Sequence, residues 1–315
     1  MAQIPSVQFA SSRPVRADQP APQTKVLGSW CCEHLLVEGP LTNTYLARPA
    51  TCPAEWPLDY VVKVLKPAYE NDSRVVKLLQ REALIASTVS HPNLISALAS
   101  QIHEPPYFVV FPRLEAVPLE QPLSGKQQLN LAQILWTTRQ AAEALQALHQ
   151  AGWIHNDVKP GNILLSSVGH VTLIDLGFAS STGESSSAVE RPFAGSFHYV
   201  APERFSSRLA TDQRSDIYSL GVTLFECLTG SRPFEAKSAA GLIEAHRQQP
   251  PPQLRRLVPH VPLAITRLVH NMLRKDPLRR PQSTHQLIGQ LISLEIENLE
   301  GHCNELESWS GEEFV

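Results

Sequence analysis

The sequence predicts an α+β fold of two lobes, a small β-rich N-lobe with one helix and a larger, mainly helical C-lobe. Two observations carry this. Short β-branched and aromatic runs fill the first third of the chain, broken by one segment of helical period. After about residue 125 the apolar positions recur at helical spacing almost to the end. A length of 315 residues with 43% hydrophobic and 18% charged content allows a large core and excludes global disorder.

The elements follow in order. Residues 1–27 are rich in Pro, Ser, Gln and Ala without periodicity and are expected to form a disordered arm. Residues 28–296 form the main domain, divided into an N-lobe of 28–114 and a C-lobe of 115–296. Leu35-Leu36-Val37, Asn43–Ala47, Tyr60–Leu65 and Tyr107–Phe111 are expected strands. Between them, Val75–Ile85 places its apolar residues three and four apart, as a helix does. Leu131, Ile134, Leu135, Ala142, Leu145 and Leu148 make one apolar face of a long helix, with Ala151-Gly152 as its stop. Later helices are expected over Ser215–Leu228, Ala239–Arg247, Leu263–Leu273 and Thr284–Glu297, with Pro250-Pro251-Pro252 separating two of them. Residues 297–315, with six glutamates, read as an acidic tail.

Composition narrows the function classes. Net charge is −3, from 27 Lys+Arg and 30 Asp+Glu, without the basic excess of a nucleic-acid binder. The five cysteines include no CxxC pair, and their odd number fits reduced thiols in a cytoplasmic protein. Twelve histidines show no paired metal spacing. The apolar run Ile217–Leu228 is too short to span a bilayer, and no signal peptide is visible.

The richest chemistry lies in His155-Asn156-Asp157-Val158-Lys159-Pro160-Gly161-Asn162. Asp157 can take a proton from a hydroxyl, and Lys159 can hold a transferring phosphoryl group. Asn162, five residues on, and Asp175, eighteen on in Ile174-Asp175-Leu176-Gly177, can hold magnesium, which favours few carboxylates plus phosphate oxygens. Lys63 ends a β-branched strand, and Glu82 on the next helix can aim its ammonium at nucleotide phosphates.

These motifs, in this order and spacing, resemble those of the eukaryotic-like serine/threonine protein kinases over roughly residues 30–295. His91-Pro92-Asn93-Leu94, Gly195–Glu203 ending in Ala201-Pro202-Glu203, Ser215–Gly221 and Asp276–Pro281 are similar to further motifs of that family. The resemblance implies a protein-kinase-like fold and transfer of the γ-phosphoryl of Mg-ATP (or Mn-ATP) to protein Ser/Thr hydroxyls. Asp157 and Lys159 would be catalytic, and Asn162 and Asp175 would hold the metal. ATP would meet Lys63, Glu82, Val37, Gly39, Thr44, Val61 and Leu164. Phe111–Leu114 would form the hinge, and Val110 would guard the back pocket. Ser196, Glu203, Asp216 and Arg280 would dock substrate or brace the loop, with Glu203 paired to Arg280 and Asp216 holding the loop backbone. Lys159 and Ser196 point to the serine/threonine branch.

The sequence also departs from the family. Its glycine-rich loop falls on Val37–Ala47 and keeps only Gly39; Val37, Pro40 and Thr42 stiffen it or fill it. Val61 stands where a smaller alanine usually roofs the base. Asn156 replaces the arginine that usually pairs with an activation-loop phosphate, so that switch is not expected to be needed. Gly161 stands where some relatives that favour basic substrates carry Glu, so basic-residue motifs are not expected to be preferred. The alternatives to an active enzyme are a pseudokinase scaffold and, less favoured, a small-molecule phosphotransferase. Substrate, upstream signal and oligomeric state are not encoded in any motif.

Overall fold

The computed structural model describes residues 25–124, 129–183, 197–205 and 212–309. The chain forms two compact units. The first contains residues up to Ala116, together with Ser166–Val168 and Asp175–Phe178; the second contains the rest. The α+β class expected from the sequence is the class observed: one unit is β-rich with one α-helix, the other mainly helical.

The first unit is built on a six-stranded sheet of order β1-β2-β3-β4-β6-β5. Its strands are β1 (Lys25–Leu27), β2 (Trp30–Glu38), β3 (Thr42–Pro49), β4 (Tyr60–Leu65), β5 (Ala99–Gln101) and β6 (Phe108–Pro112). All neighbouring pairs are antiparallel. One face carries a buried cluster of Leu27, Cys32, Ala47, Val62, Val64, Phe108 and Val110. Side chains alternate across a strand, so Val61 and Lys63 project from the other face. Helix α1 (Ser73–Thr88) begins at Asp72, whose carboxylate accepts from the Arg74 N–H, and buries Val75, Val76, Leu79, Glu82, Ala83, Ile85 and Ala86.

The arm expected over 1–27 ends earlier than the sequence suggests. Lys25–Leu27 is a strand paired to Trp30–Cys32 through a turn at Gly28, where φ is +54°. Leu27 is buried in the sheet core. A three-residue strand has no period of its own, and only its partner reveals it. The expected boundary at 114/115 moves to Ala116/Val117. Asp175–Phe178 joins the first unit because Gly177 lies against α1: a Cβ there would sit 3.4 Å from the Leu78 carbonyl.

The second unit contains β7 (Ala116–Pro118, from Val117 on), α2 (Glu120–Ser124), α3 (Leu131–Gln150), β8 (Trp153–Ile154), β9 (Ile163–Ser166, up to Leu165) and β10 (Val171–Leu173). It continues with β11 (Ser180–Ser181), α4 (Arg214–Thr229), α5 (Ala239–Gln248), α6 (Leu254–Leu257), α7 (Leu263–Met272) and α8 (Thr284–Trp309). A capping box between Asn130 and Gln133 starts α3. It buries Ile134, Leu135, Ala142, Leu145 and Leu148 of the expected face; Leu131, at its first turn, is half-exposed. Helix α3 packs on α4 and α8, and α4 packs on α7. The approach of α4 and α7 is close, since a Cβ on Gly221 would lie 2.7 Å from Met272 Cβ. Helix α8 runs beyond the expected Glu297 to Trp309, with no proline to stop it.

Among the described residues, no helix is long and apolar enough to cross a membrane. Cys31, Cys32, Cys52 and Cys227 are free thiols.

Candidate active site

In the first unit the sheet register places the expected nucleotide-binding residues. Val37 pairs with Thr44, Thr44 with Lys63, and Lys63 with Val109. Directly paired residues share a face, so these four form one row across the sheet. The next row is Leu46, Val61 and Phe111. Together they give a largely apolar surface around one ammonium.

The register corrects one expected residue. Val110 pairs with Val62 and is fully buried in the cluster on the opposite face from Lys63. It cannot guard a pocket on the Lys63 face. Phe111, across from Val61, holds that position. A strand of consecutive apolar residues conceals its inside–outside phase; only the pairing of β6 with β4 sets it.

Gly39 keeps its glycine for a local reason. Its N–H donates to the Thr42 carbonyl at 2.9 Å, and a Cβ there would come within 2.8 Å of that same oxygen.

Lys63 is held by two carboxylates. Its Nζ lies 2.8 Å from Glu82 Oε2 and 2.9 Å from Asp175 Oδ1. Burial pushes this lysine down, but Asp175 and Glu82 outweigh burial and hold it above its usual range. Burial also pushes the Glu82 carboxyl up, partly offset by Lys63. Asp175 has φ +66°, a left-handed conformation that aspartate tolerates better than most residues.

In the second unit the loop after α3 is organised by Asp216 at the start of α4. Its Oδ2 accepts from the His155 N–H and its Oδ1 from the Asn156 N–H, each at 2.8 Å. His149 Nε2 also lies 2.8 Å from Oδ2. Burial alone would raise the Asp216 carboxyl, but His149, His155 and the Asn156 amide hold it below the usual carboxylate range. These bonds fix Asn156 at φ +68°.

His155 sets the next step. Its Nε2 is 3.1 Å from the Ile174 carbonyl, so that nitrogen carries the proton and Nδ1 accepts from the Asp157 N–H at 3.2 Å. Asp157 is thereby oriented, and its Oδ2 accepts from Lys159 Nζ and from Asn162 Nδ2, both at 2.8 Å. Asn162 Nδ2 also donates to the Asp157 carbonyl. With its nitrogen so used, the Asn162 side chain keeps its amide oxygen for a cation.

Asn156, in place of the family's arginine, donates from Nδ2 to the buried Ser180 hydroxyl at 2.8 Å. That neutral bond joins the loop to β11, which pairs with β8. Deeper in the unit, Glu203 and Arg280 form the expected bidentate pair at 2.6 and 2.7 Å, and Ser215 donates to Glu203 at 2.9 Å. Leu164 lies on β9, half-buried, between the buried Ile163 and Leu165. Ser196 lies outside the described residues.

One residue escaped the sequence reading. Glu120, at the start of α2, sets its carboxylate beside Gly161; a Cβ on that glycine would be 3.0 Å from Glu120 Oε2. A carboxylate therefore stands next to the position where the sequence shows none. No local motif signals this, because the two residues are forty-one apart in the chain.

The family model described as "Protein kinase domain" matches residues 55–291. The chain is 30% identical to the serine/threonine-protein kinase PrkC of Bacillus subtilis, over 84% of this chain and 40% of that protein. It is 34% identical to the serine/threonine-protein kinase pkn3 of Myxococcus xanthus, over 84% of this chain and 50% of that protein. Against the probable serine/threonine-protein kinase PknB of Lactococcus lactis it is 33% identical, over 74% of this chain and 37% of that protein. The chain thus spans half or less of the length of these relatives. With the Lys63–Glu82–Asp175 bridge, the Asp157 loop and the Glu203–Arg280 pair in place, the chain belongs to the eukaryotic-like serine/threonine protein kinase family.

Proposed function

We propose that this protein transfers the γ-phosphoryl group of Mg-ATP to Ser and Thr hydroxyls of protein substrates. The observation that carries this reading is the Asp157 carboxylate, fixed by Lys159 and Asn162 on a loop pinned by Asp216. A base so held is oriented before substrate arrives, which is the main means of catalysis in this chemistry.

The donor set suits magnesium. Asp175 offers a carboxylate and Asn162 an amide oxygen, both hard ligands. Among the described residues no group of three His, Cys, Asp or Glu could hold a metal alone. That fits an ion that arrives with nucleotide phosphates and needs few protein ligands. When bound, the metal neutralises charge that builds on the phosphates; manganese has the same preference for oxygen donors.

The chain's own residues do the rest. Lys63, aimed by Glu82, holds the α- and β-phosphates. Val37, Thr44, Val61 and Phe111 line the Lys63 face for the base, and Leu164 on β9 is a further apolar candidate. Asp157 orients the acceptor hydroxyl and takes its proton, and Lys159 stabilises the charge that develops as the phosphoryl moves. An enzyme is favoured over a scaffold because Lys63 pairs with Glu82 and Asp175, and Asp157 with Lys159, as this chemistry would use them. We further propose a cytoplasmic site of action, supported by the free thiols.

The test is transfer of radiolabelled phosphate from Mg-ATP to casein and histone, with mapping of the acceptor residues. Wild type should label Ser or Thr. Asp157→Asn should lose transfer while ATP still raises its melting temperature. Full transfer by Asp157→Asn, or labelling of tyrosine alone, refutes the reading.

A further inference from the structure

A cavity of about 670 Å³ lies in the helical unit, bounded by the segment around α6, the last turn of α7 and the residues that follow it. Three exposed arginines line it, Arg255, Arg274 and Arg279, with Lys275, His270 and a single carboxylate, Asp276. Asp276 is already engaged. It accepts from the Leu278 N–H at 3.0 Å and faces Arg279 at 3.6 Å. Arg255 and Arg274 have no ion-pair partner among the described residues.

The inner wall carries an unmet hydrogen-bonding group. His270 Nε2 is buried without a hydrogen-bond partner. Such a nitrogen is destabilising unless a ligand or water meets it. Leu254 and Leu273, both buried, give the cavity an apolar floor beneath the exposed guanidinium groups.

Burial, then Arg280, pushes Lys275 down to about 7. Its nitrogen points inward, 3.9 Å from the Phe234 ring centre and 3.3 Å from the Ala245 carbonyl, so the arginines and not Lys275 supply the cavity's charge. Burial lowers His270, a backbone hydrogen bond to Pro252 partly offsets it, and the adjacent Arg274 lowers it further. Positive charge here exceeds negative charge, and a bound anion would relieve the excess.

We propose that this cavity binds a phosphate monoester, gripped by the forked guanidinium groups of Arg255 and Arg274 with the His270 ring as a further partner. Arginine matches phosphate because its planar fork donates two parallel bonds to a dianion. The cavity is large enough for a phosphorylated side chain with its flanking peptide or for a small phosphorylated metabolite. Binding here does not depend on phosphoryl transfer by this chain.

The experiment measures binding to the full chain without nucleotide. The probes are the peptide Gly183–Arg191 of this sequence phosphorylated at Ser186, the same peptide unphosphorylated, and inorganic phosphate. Fluorescence anisotropy reads the labelled peptides, and phosphate enters as competitor and by thermal shift. The variants are Arg255→Gln with Arg274→Gln, and Arg256→Gln with Arg267→Gln as a charge-matched control at exposed positions outside the cavity lining. The phosphopeptide should bind at least about 10-fold more tightly than the unphosphorylated form, and the double variant should lose at least about 10-fold, while the control keeps wild-type affinity. A phosphopeptide that binds far more tightly than phosphate identifies a peptide ligand. Phosphate that raises the melting temperature of wild type but not of the double variant, without peptide binding, identifies a free phosphorylated ligand. Binding that the double variant retains, or no binding of any probe, overturns the proposal.

Discussion

Asp216→Asn tests the mechanical core of the site. The substitution keeps shape and removes charge. In the native loop Asp216 accepts three bonds of 2.8 Å, two from the buried amides of His155 and Asn156 and one from His149. Asparagine retains one acceptor oxygen and turns an NH2 toward a donor. One charge-assisted bond is lost, about 1.5–3 kcal/mol, and one buried N–H is left unpaired, about 1–3 kcal/mol. The expected destabilisation is about 3–5 kcal/mol, a large share of a typical domain's stability. Asn156 also loses the bond that holds it at φ +68°, so Asp157, the next residue, should lose its orientation. The assay is urea unfolding by circular dichroism beside kcat for casein. The sign with pH also follows. The folded Asp216 carboxyl lies below its unfolded value, so its contribution is present above about pH 4 and fades as pH falls through the folded value. The gap between wild type and variant should be constant near neutrality and should narrow in acid. A variant within about 1 kcal/mol of wild type and within about threefold in kcat would refute the reasoning.

Three further outcomes are expected. Lys63→Met leaves Glu82 and Asp175 facing each other without a cation and should cost about 2–4 kcal/mol, less than a fully buried pair because Lys63 and Asp175 keep some exposure, with transfer falling to background in the radiolabel assay. Phe111→Ala should change the KM for ATP, whereas Val110→Ala, in the opposite core, should cost about 1–3 kcal/mol in denaturant titration and leave the KM unchanged; the reverse pattern would return the pocket to Val110. Gly221→Ala should cost about 1–3 kcal/mol by urea titration, because its Cβ would lie 2.7 Å from Met272 Cβ, and only a stabilised variant would show that the helices can part.

What a single segment could decide was legible early. The strand Tyr60–Leu65 matched to the residue, because β-branched residues crowd into it between clear breaks. The long helix was legible because its period repeats over five turns. The Asp157 loop was legible for another reason. Its partners Lys159 and Asn162 lie two and five residues away, so spacing alone brings them together.

Contacts between distant segments were decided only by tertiary structure. Val109, Val110 and Phe111 are all apolar, and a one-residue change of phase exchanges the two faces of a strand. Glu120 beside Gly161 and the bond from Asn156 to Ser180 join segments that no local pattern relates. The sequence by itself determined the chemistry, because residue types at short fixed spacing carry it. Tertiary structure decided which side chains meet, because register and packing depend on partners far along the chain.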